Sequence, residues 1–222
     1  MADPAKFEKL STIVIDKLEG GYYHPNMLID GRVKDQRYAG SGETMFGIDR
    51  LKGGSINTTD SGKQFWKIID QAEAVKKWRW NFTGGNLKPT LQKLASKMIF
   101  GLYNTYIRLY LKSPALIQII ENDDRLLFNF IYATWNGSGW FKKFATDLIE
   151  AFNSGVKNPN DLYTVVLNSR IKEGLKKGSK PNSLIAQSGL KIAKLFENYK
   201  GIKIKPVIIL FIAGLLFYSL KN

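Results

Sequence analysis

The chain reads as a mainly α protein: a helical domain with one short loop and hairpin region, followed by a C-terminal transmembrane helix. Three observations carry that expectation. Apolar residues recur at steps of three and four over most of the 222 residues, which is the spacing of one helical face. The stretch from about residue 22 to 57 breaks the pattern with Gly31, Gly40, Gly42, Gly47, Gly53 and Gly54 and offers too few periodic apolar positions for a helix. The run from Pro206 to Leu220 carries no charge, with Lys203 and Lys205 before it and Lys221 after it.

Phe7, Leu10, Val14 and Leu18 set the first helix at about residues 4–18, with Glu19 at its end and Gly20-Gly21 as its stop. Further helices are expected at about 60–80, 89–111, 114–121, 124–135, 139–153, 159–169, 182–199 and 204–220. Asp60, Ser113-Pro114 and Asn158-Pro159 supply cap or first-turn chemistry, and Gly137 and Gly155 serve as stops. The basic, glycine-bearing stretch 172–180 reads as a linker or exposed turn. The final apolar run falls short of the ~20 residues that span a bilayer. Residues 201–205, with their lysines snorkelling to the headgroups, bring it close to that length. A soft boundary near residue 112 gives three parts, 1–112, 113–200 and 201–222, the first two expected to pack together.

Composition removes several chemistries. With 44% hydrophobic residues the chain can bury a core. It has no cysteine and one histidine, His24, so a disulfide framework, a thiolate metal site and a multi-histidine zinc site are excluded. Acyl transfer has no Cys nucleophile and only His24 to partner a serine. Carboxylate chemistry remains, with no metal or cofactor expected. The net charge of +14 favours polyanionic partners: nucleic acid, anionic lipid or bacterial wall polymers. From Arg170 to Lys205 basic residues heavily outnumber the acidic Glu173 and Glu197, just ahead of the apolar run. That position favours anionic headgroups, at about 1 kcal/mol per charge, over nucleic acid. Met1 to Lys6 lacks the apolar run and small-residue site of a cleaved secretory signal.

Two clusters carry the chemistry, Glu19-Gly20-Gly21-Tyr22 and Gly42-Glu43-Thr44-Met45-Phe46-Gly47-Ile48. A carboxyl at a helix C-terminus faces partial negative charge and, if partly buried, holds its proton nearer neutral pH. A glycosidase acid requires that property. For a second catalytic group Glu43, Asp35 and Asp30 compete; Glu43 sits in the second cluster, where it also suits a turn brace. Thr44 suits either the positioning of an attacking water or a place in a strand. Gly42 and Gly47 serve shape, letting backbone approach a glycan or turn a hairpin. Tyr22, Tyr23, Phe46, Trp66, Trp78, Trp80, Trp135 and Trp140 fit either a core or sugar stacking. Trp135 and Trp140 bracket Asn136-Gly137-Ser138-Gly139, which makes Asn136 and Ser138 candidates for glycan hydrogen bonds, with an ordinary helix-to-helix turn as the alternative. His24 reads as a loop residue.

From about Phe7 to Asn81 the order of these features resembles the phage and bacterial N-acetylmuramidases of glycoside hydrolase family 108. Glu19, Gly20, Gly21, Tyr22, Gly42, Glu43, Thr44, Gly47 and Ile48 sit where the family pattern has them, and Ala72 to Trp80 resembles its following helix. The segment from Leu126 to Phe130, through Asn136-Gly137-Ser138-Gly139 to Phe152, resembles the peptidoglycan-binding region that follows such domains. The resemblance implies a lysozyme-like helical domain with Glu19 as proton donor, cleaving the MurNAc–GlcNAc bond of peptidoglycan glycan strands. The chain departs from the family between its motifs, where the loop from His24 to Ser41 is longer and more basic. Combined with the C-terminal run, the resemblance implies a bacteriophage muramidase held by residues 201–222 in a virion internal membrane or a host inner membrane. A lytic transglycosylase and a non-catalytic, membrane-associated virion structural protein are the alternatives.

Overall fold

Asp3 starts the first helix. Its carboxylate accepts the amide hydrogens of Ala5 and Lys6 at 2.8 and 3.4 Å, and Pro4 fills a first-turn position whose N–H would have no partner. In this computed structural model, which describes residues 1–23, 28–29, 32–33, 43–72 and 82–176, α1 then runs Pro4–Lys17 and buries Phe7, Leu10, Ser11, Val14 and Ile15. The other helices are α2 (Asp60–Gln71), α3 (Lys88–Tyr110), α4 (Pro114–Asn122), α5 (Asp124–Trp135), α6 (Ser138–Asn153) and α7 (Pro159–Lys176). Two small antiparallel hairpins lie between α1 and α2: β1 (Leu28–Ile29) with β2 (Arg32–Val33), and β3 (Thr44–Met45) with β4 (Ile48–Asp49). The protein is mainly helical with a small hairpin region, as the periodicity implies.

Several boundaries differ from expectation for local reasons. The helix expected over 60–80 has α2 ending at Gln71: Ala72, still buried in line with Phe65, Trp66 and Ile69, turns extended while its N–H closes on the Ile69 carbonyl, and the rest of that stretch, 73–80, lies outside the described residues. Thr59 caps it by accepting the Gly62 N–H at 3.1 Å, and Asp60 supplies the acidic group of its first turn. The unforeseen cap of α5 is Asp123, which accepts from Arg125 and Leu126. The last described helix continues past 169 to Lys176. Gly137 and Gly155, at φ 99° and 98°, follow α5 and α6 as the stops the sequence places there.

The chain forms two compact units, Met1–Phe141 and Lys142–Asn222. Residue 112, the expected boundary, lies inside the first. In that unit α3 is the central element, with α1, α2 and α5 against it, while α5 also packs on α1 and α4. Phe7 of α1 meets Phe100 edge-on at 4.9 Å and Tyr103 at 5.2 Å, all in a region where each buried aromatic contributes about 1.5–3 kcal/mol. Lys6 fastens α1 to the end of α4 by donating to the carbonyls of Glu121 (2.7 Å) and Asn122 (3.1 Å) and pairing with Asp124 at 2.8 Å. In the second unit Leu148, Leu162, Val166 and Leu167 are buried, and Asp147 accepts from both Lys143 and Ser169.

Among the described residues no helix is long and apolar enough to cross a membrane. The expected helices over 182–199 and 204–220, and with them the anchor at 201–222, lie outside the described residues. So do His24, Asp30, Asp35, Trp78 and Trp80.

Candidate active site

The chain leaves α1 through a tight closure. The Leu18 and Glu19 amides both donate to the Val14 carbonyl, at 2.9 and 3.0 Å, which fixes Glu19 immediately beyond the helix. The segment that follows is held on both sides. Tyr22 N–H donates to the Phe82 carbonyl at 2.7 Å, and Tyr23 exchanges two backbone hydrogen bonds with Thr44 at the start of β3. Gly21 has no room for a side chain, since a Cβ there would run into the Phe82 carbonyl group.

The β3–β4 hairpin brings the second cluster back over Glu19. Its register pairs Thr44 with Asp49 and Met45 with Ile48, leaving Phe46-Gly47 as a two-residue turn with φ of 54° and 72°. Positive φ at both turn positions matches the right-handed twist of the strands, and the second position is the usual place for glycine. Gly47 is needed for a second reason: a Cβ there would overlap a Glu19 carboxyl oxygen, standing 2.8 Å from Cδ of Glu19 and 3.2 Å from Nε1 of Trp135. Trp135, the last residue of α5, donates its indole N–H to the Phe46 carbonyl at 2.6 Å. Glu19, Gly47 and Trp135 therefore meet at one point although they come from three distant segments.

Glu19 is half-buried in this niche, and burial raises its pKa from 4.5 to about 7. No cation or hydrogen-bond donor among the described residues offsets that burial. The helix end places the group, while desolvation supplies the shift.

Glu43 occupies the opposite electrostatic setting. One carboxylate oxygen accepts from the Tyr22 hydroxyl at 2.8 Å and the other from Arg50, which also grips Asp70 through two bonds of 2.6 and 2.8 Å. Arg50 lies over the Trp66 ring at 5.1 Å, so the cluster ties β3 and the turn after β4 to α2. With both oxygens engaged, by Tyr22 and by Arg50, Glu43 stands where a turn brace would. Tyr22 is corrected on the same ground. It is 1% exposed, so no ring face is open to a sugar, and burial together with the Glu43 bond pushes its phenol well above the ordinary range.

Thr44 lies in β3 and donates its hydroxyl to Asp49 Oδ1 at 2.6 Å. Asn136 spends its amide on the Tyr132 carbonyl at 2.8 Å, and the Ser138 hydroxyl shares a hydrogen bond with Tyr106. Both belong to the helix-to-helix turn after α5. An open pocket of about 500 Å³ beside α2 is lined by Lys63, Trp66, Lys67 and Asp70 and includes Arg50, but neither Glu19, Gly47 nor Trp135 borders it.

Sequence reasoning missed Asp49, Arg50 and Asp70. A two-residue turn at Phe46-Gly47 dictates that Thr44 faces Asp49, so that pair was readable once the turn was counted. The chain matches no protein-family model, no curated protein and no solved structure.

Proposed function

We propose that this chain is a muramidase that cleaves the MurNAc–GlcNAc bonds of peptidoglycan, with Glu19 as the proton donor. The observation that supports it best is a carboxyl with a pKa near 7, standing in a niche where no counter-ion is found among the described residues. At neutral pH about half of such groups hold a proton, and that proton goes to the glycosidic oxygen as its bond to the sugar carbon breaks, while water adds its oxygen to that carbon and gives up the proton that recharges the acid. Gly47 keeps side-chain bulk away from the acid, and the Thr44–Asp49 pair provides a hydroxyl and a carboxylate on the same hairpin. Residues 201–222 tether the enzyme to a phage-internal or host membrane, and the basic residues before them meet anionic lipid headgroups.

Turbidity of purified Gram-negative sacculi tests this reading. The wild-type chain lowers turbidity and Glu19→Gln does not; equal lysis by the two would remove Glu19 as the acid, and no lysis by either would sink the enzyme and favour a structural role.

A lytic transglycosylase is the second reading, favoured by the engagement of Glu43 with Tyr22 and Arg50. That reaction uses one acid and an intramolecular attack in place of water. Mass analysis of the released fragments separates the two, because hydrolysis gives reducing ends and transglycosylation gives 1,6-anhydro products.

A further inference from the structure

We propose that Trp135 is a positioning residue, whose indole N–H fastens the Phe46–Gly47 turn against the Glu19 carboxyl and so closes the dry side of that group's niche. The inference rests on Glu19 acting as the acid.

The turn, closed at its base by the pairing of Met45 with Ile48, is held by more than its own hairpin. Phe46 is the one non-glycine residue at positive φ among the described residues, a conformation that costs about 1–2 kcal/mol and persists only when its surroundings enforce it. Two contacts do so. The Phe46 ring is 2% exposed and lies 6.3 Å from Phe65 of α2, while its carbonyl takes the Trp135 N–H at 2.6 Å. Trp135 is itself fixed, because the backbone after it closes on α5 through Asn136 N–H to Tyr132 and Gly137 N–H to Thr134. The end of α5 thus sets where a turn 89 residues earlier in the chain stands.

That placement matters because packing, not charge, governs Glu19. On α1 its charged neighbours are Asp16, paired with Lys88 at 2.6 Å, and Lys17; on the hairpin they are Glu43, Asp49 and Arg50; the last turn of α5 offers only Tyr132. None of these contributes to the shift, which comes from burial. Water admitted between Gly47 and Glu19 therefore removes the effect directly. The indole also stands 3.2 Å from the point where a Gly47 Cβ would sit, on the same spot that the Glu19 carboxyl crowds.

The test is a carbon-13 titration of the Glu19 carboxyl in the full-length chain, wild type against Trp135→Phe, which keeps an aromatic ring and deletes the N–H. The variant's midpoint should fall by about one pH unit, and the alkaline limb of its pH–lysis profile should move by the same amount, with kcat reduced and KM little changed. In the wild type the Trp135 indole resonance should titrate with the Glu19 midpoint, a readout that stands even if Trp135→Phe does not fold. An unchanged midpoint in a folded variant, or an indole resonance flat through pH 7, overturns the proposal. The two claims fail separately. Lysis retained by Glu19→Gln removes Glu19 as the acid while leaving the titration result intact, whereas lysis that needs Glu19 beside an unchanged Trp135→Phe midpoint removes only the clamp.

Discussion

Glu19 and Glu43 are the same side chain, set in adjacent glycine-bounded motifs, and the structure treats them in opposite ways. Glu43 is surrounded by partners: Tyr22, Arg50 and, through Arg50, Asp70. Glu19 is buried against Gly47 with no partner among the described residues to favour its charge. One carboxylate spends its charge on holding a turn in place, and the other is denied its charge by the place the turn holds. The chemistry of a motif glutamate is therefore decided by what closes around it.

The most severe way to break the contrast is to exchange the roles. Glu19→Gln should lower wall lysis by at least about 100-fold, the range for loss of a general acid, whereas Glu43→Gln should retain far more activity per folded molecule. If Glu43→Gln proved the more damaging in turbidity assays normalised to folded protein, Glu43 would be the acid and the assignment would be reversed.

Stability supplies the next contrast. The folded pKa of Glu19 lies above its unfolded value, so the folded state binds more protons between pH 4.5 and about 7, and stability falls as pH rises through that window. The cost at pH 8 is at most about 3 kcal/mol. Glu19→Gln removes it: urea unfolding should show the variant gaining on the wild type from pH 4.5 upward and levelling above pH 7. Glu43→Gln should instead lose about 2 kcal/mol because Arg50 is left with a single anionic partner. A gain for Glu43→Gln would show that its ion pair is not a brace.

The smallest effect concerns the turn after α5. Asn136→Ala gives up one side-chain bond to Tyr132, worth about 0.5–1 kcal/mol, and should leave lysis within about twofold of wild type. A large loss of activity with an unchanged melting temperature would return Asn136 to the glycan-binding role that its position between two tryptophans suggests.

How much of this was legible in the sequence follows the range of the interactions. The stripe of Phe7, Leu10 and Val14 marks α1 because periodicity is local, and Glu19 stands out at its end from the residue spacing alone. The start of α4 and the end of α5 were also readable, from Pro114 and Gly137. The break at Ala72 was not, since Ala72 is a good helix former that continues the apolar spacing of Phe65, Trp66 and Ile69 and yet stands in extended backbone. Nor was the Arg50–Asp70 pair, which spans hairpin and helix, or the Trp135–Phe46 bond across 89 positions. Trp135 is conspicuous as a tryptophan beside a turn, yet its partner is a backbone carbonyl, and no residue type announces a carbonyl. Burial of Tyr22 was hidden for the same reason: the residues that cover it come from elsewhere in the chain.

The central claim is that Glu19 holds its proton near neutral pH, and a carbon-13 titration of its side-chain carboxyl in the wild-type protein measures that directly. The account predicts a midpoint at about 7. A midpoint in the ordinary carboxylate range near 4.5 would mean that water or a cation reaches the group freely, and Glu19 would then have no special capacity to act as an acid.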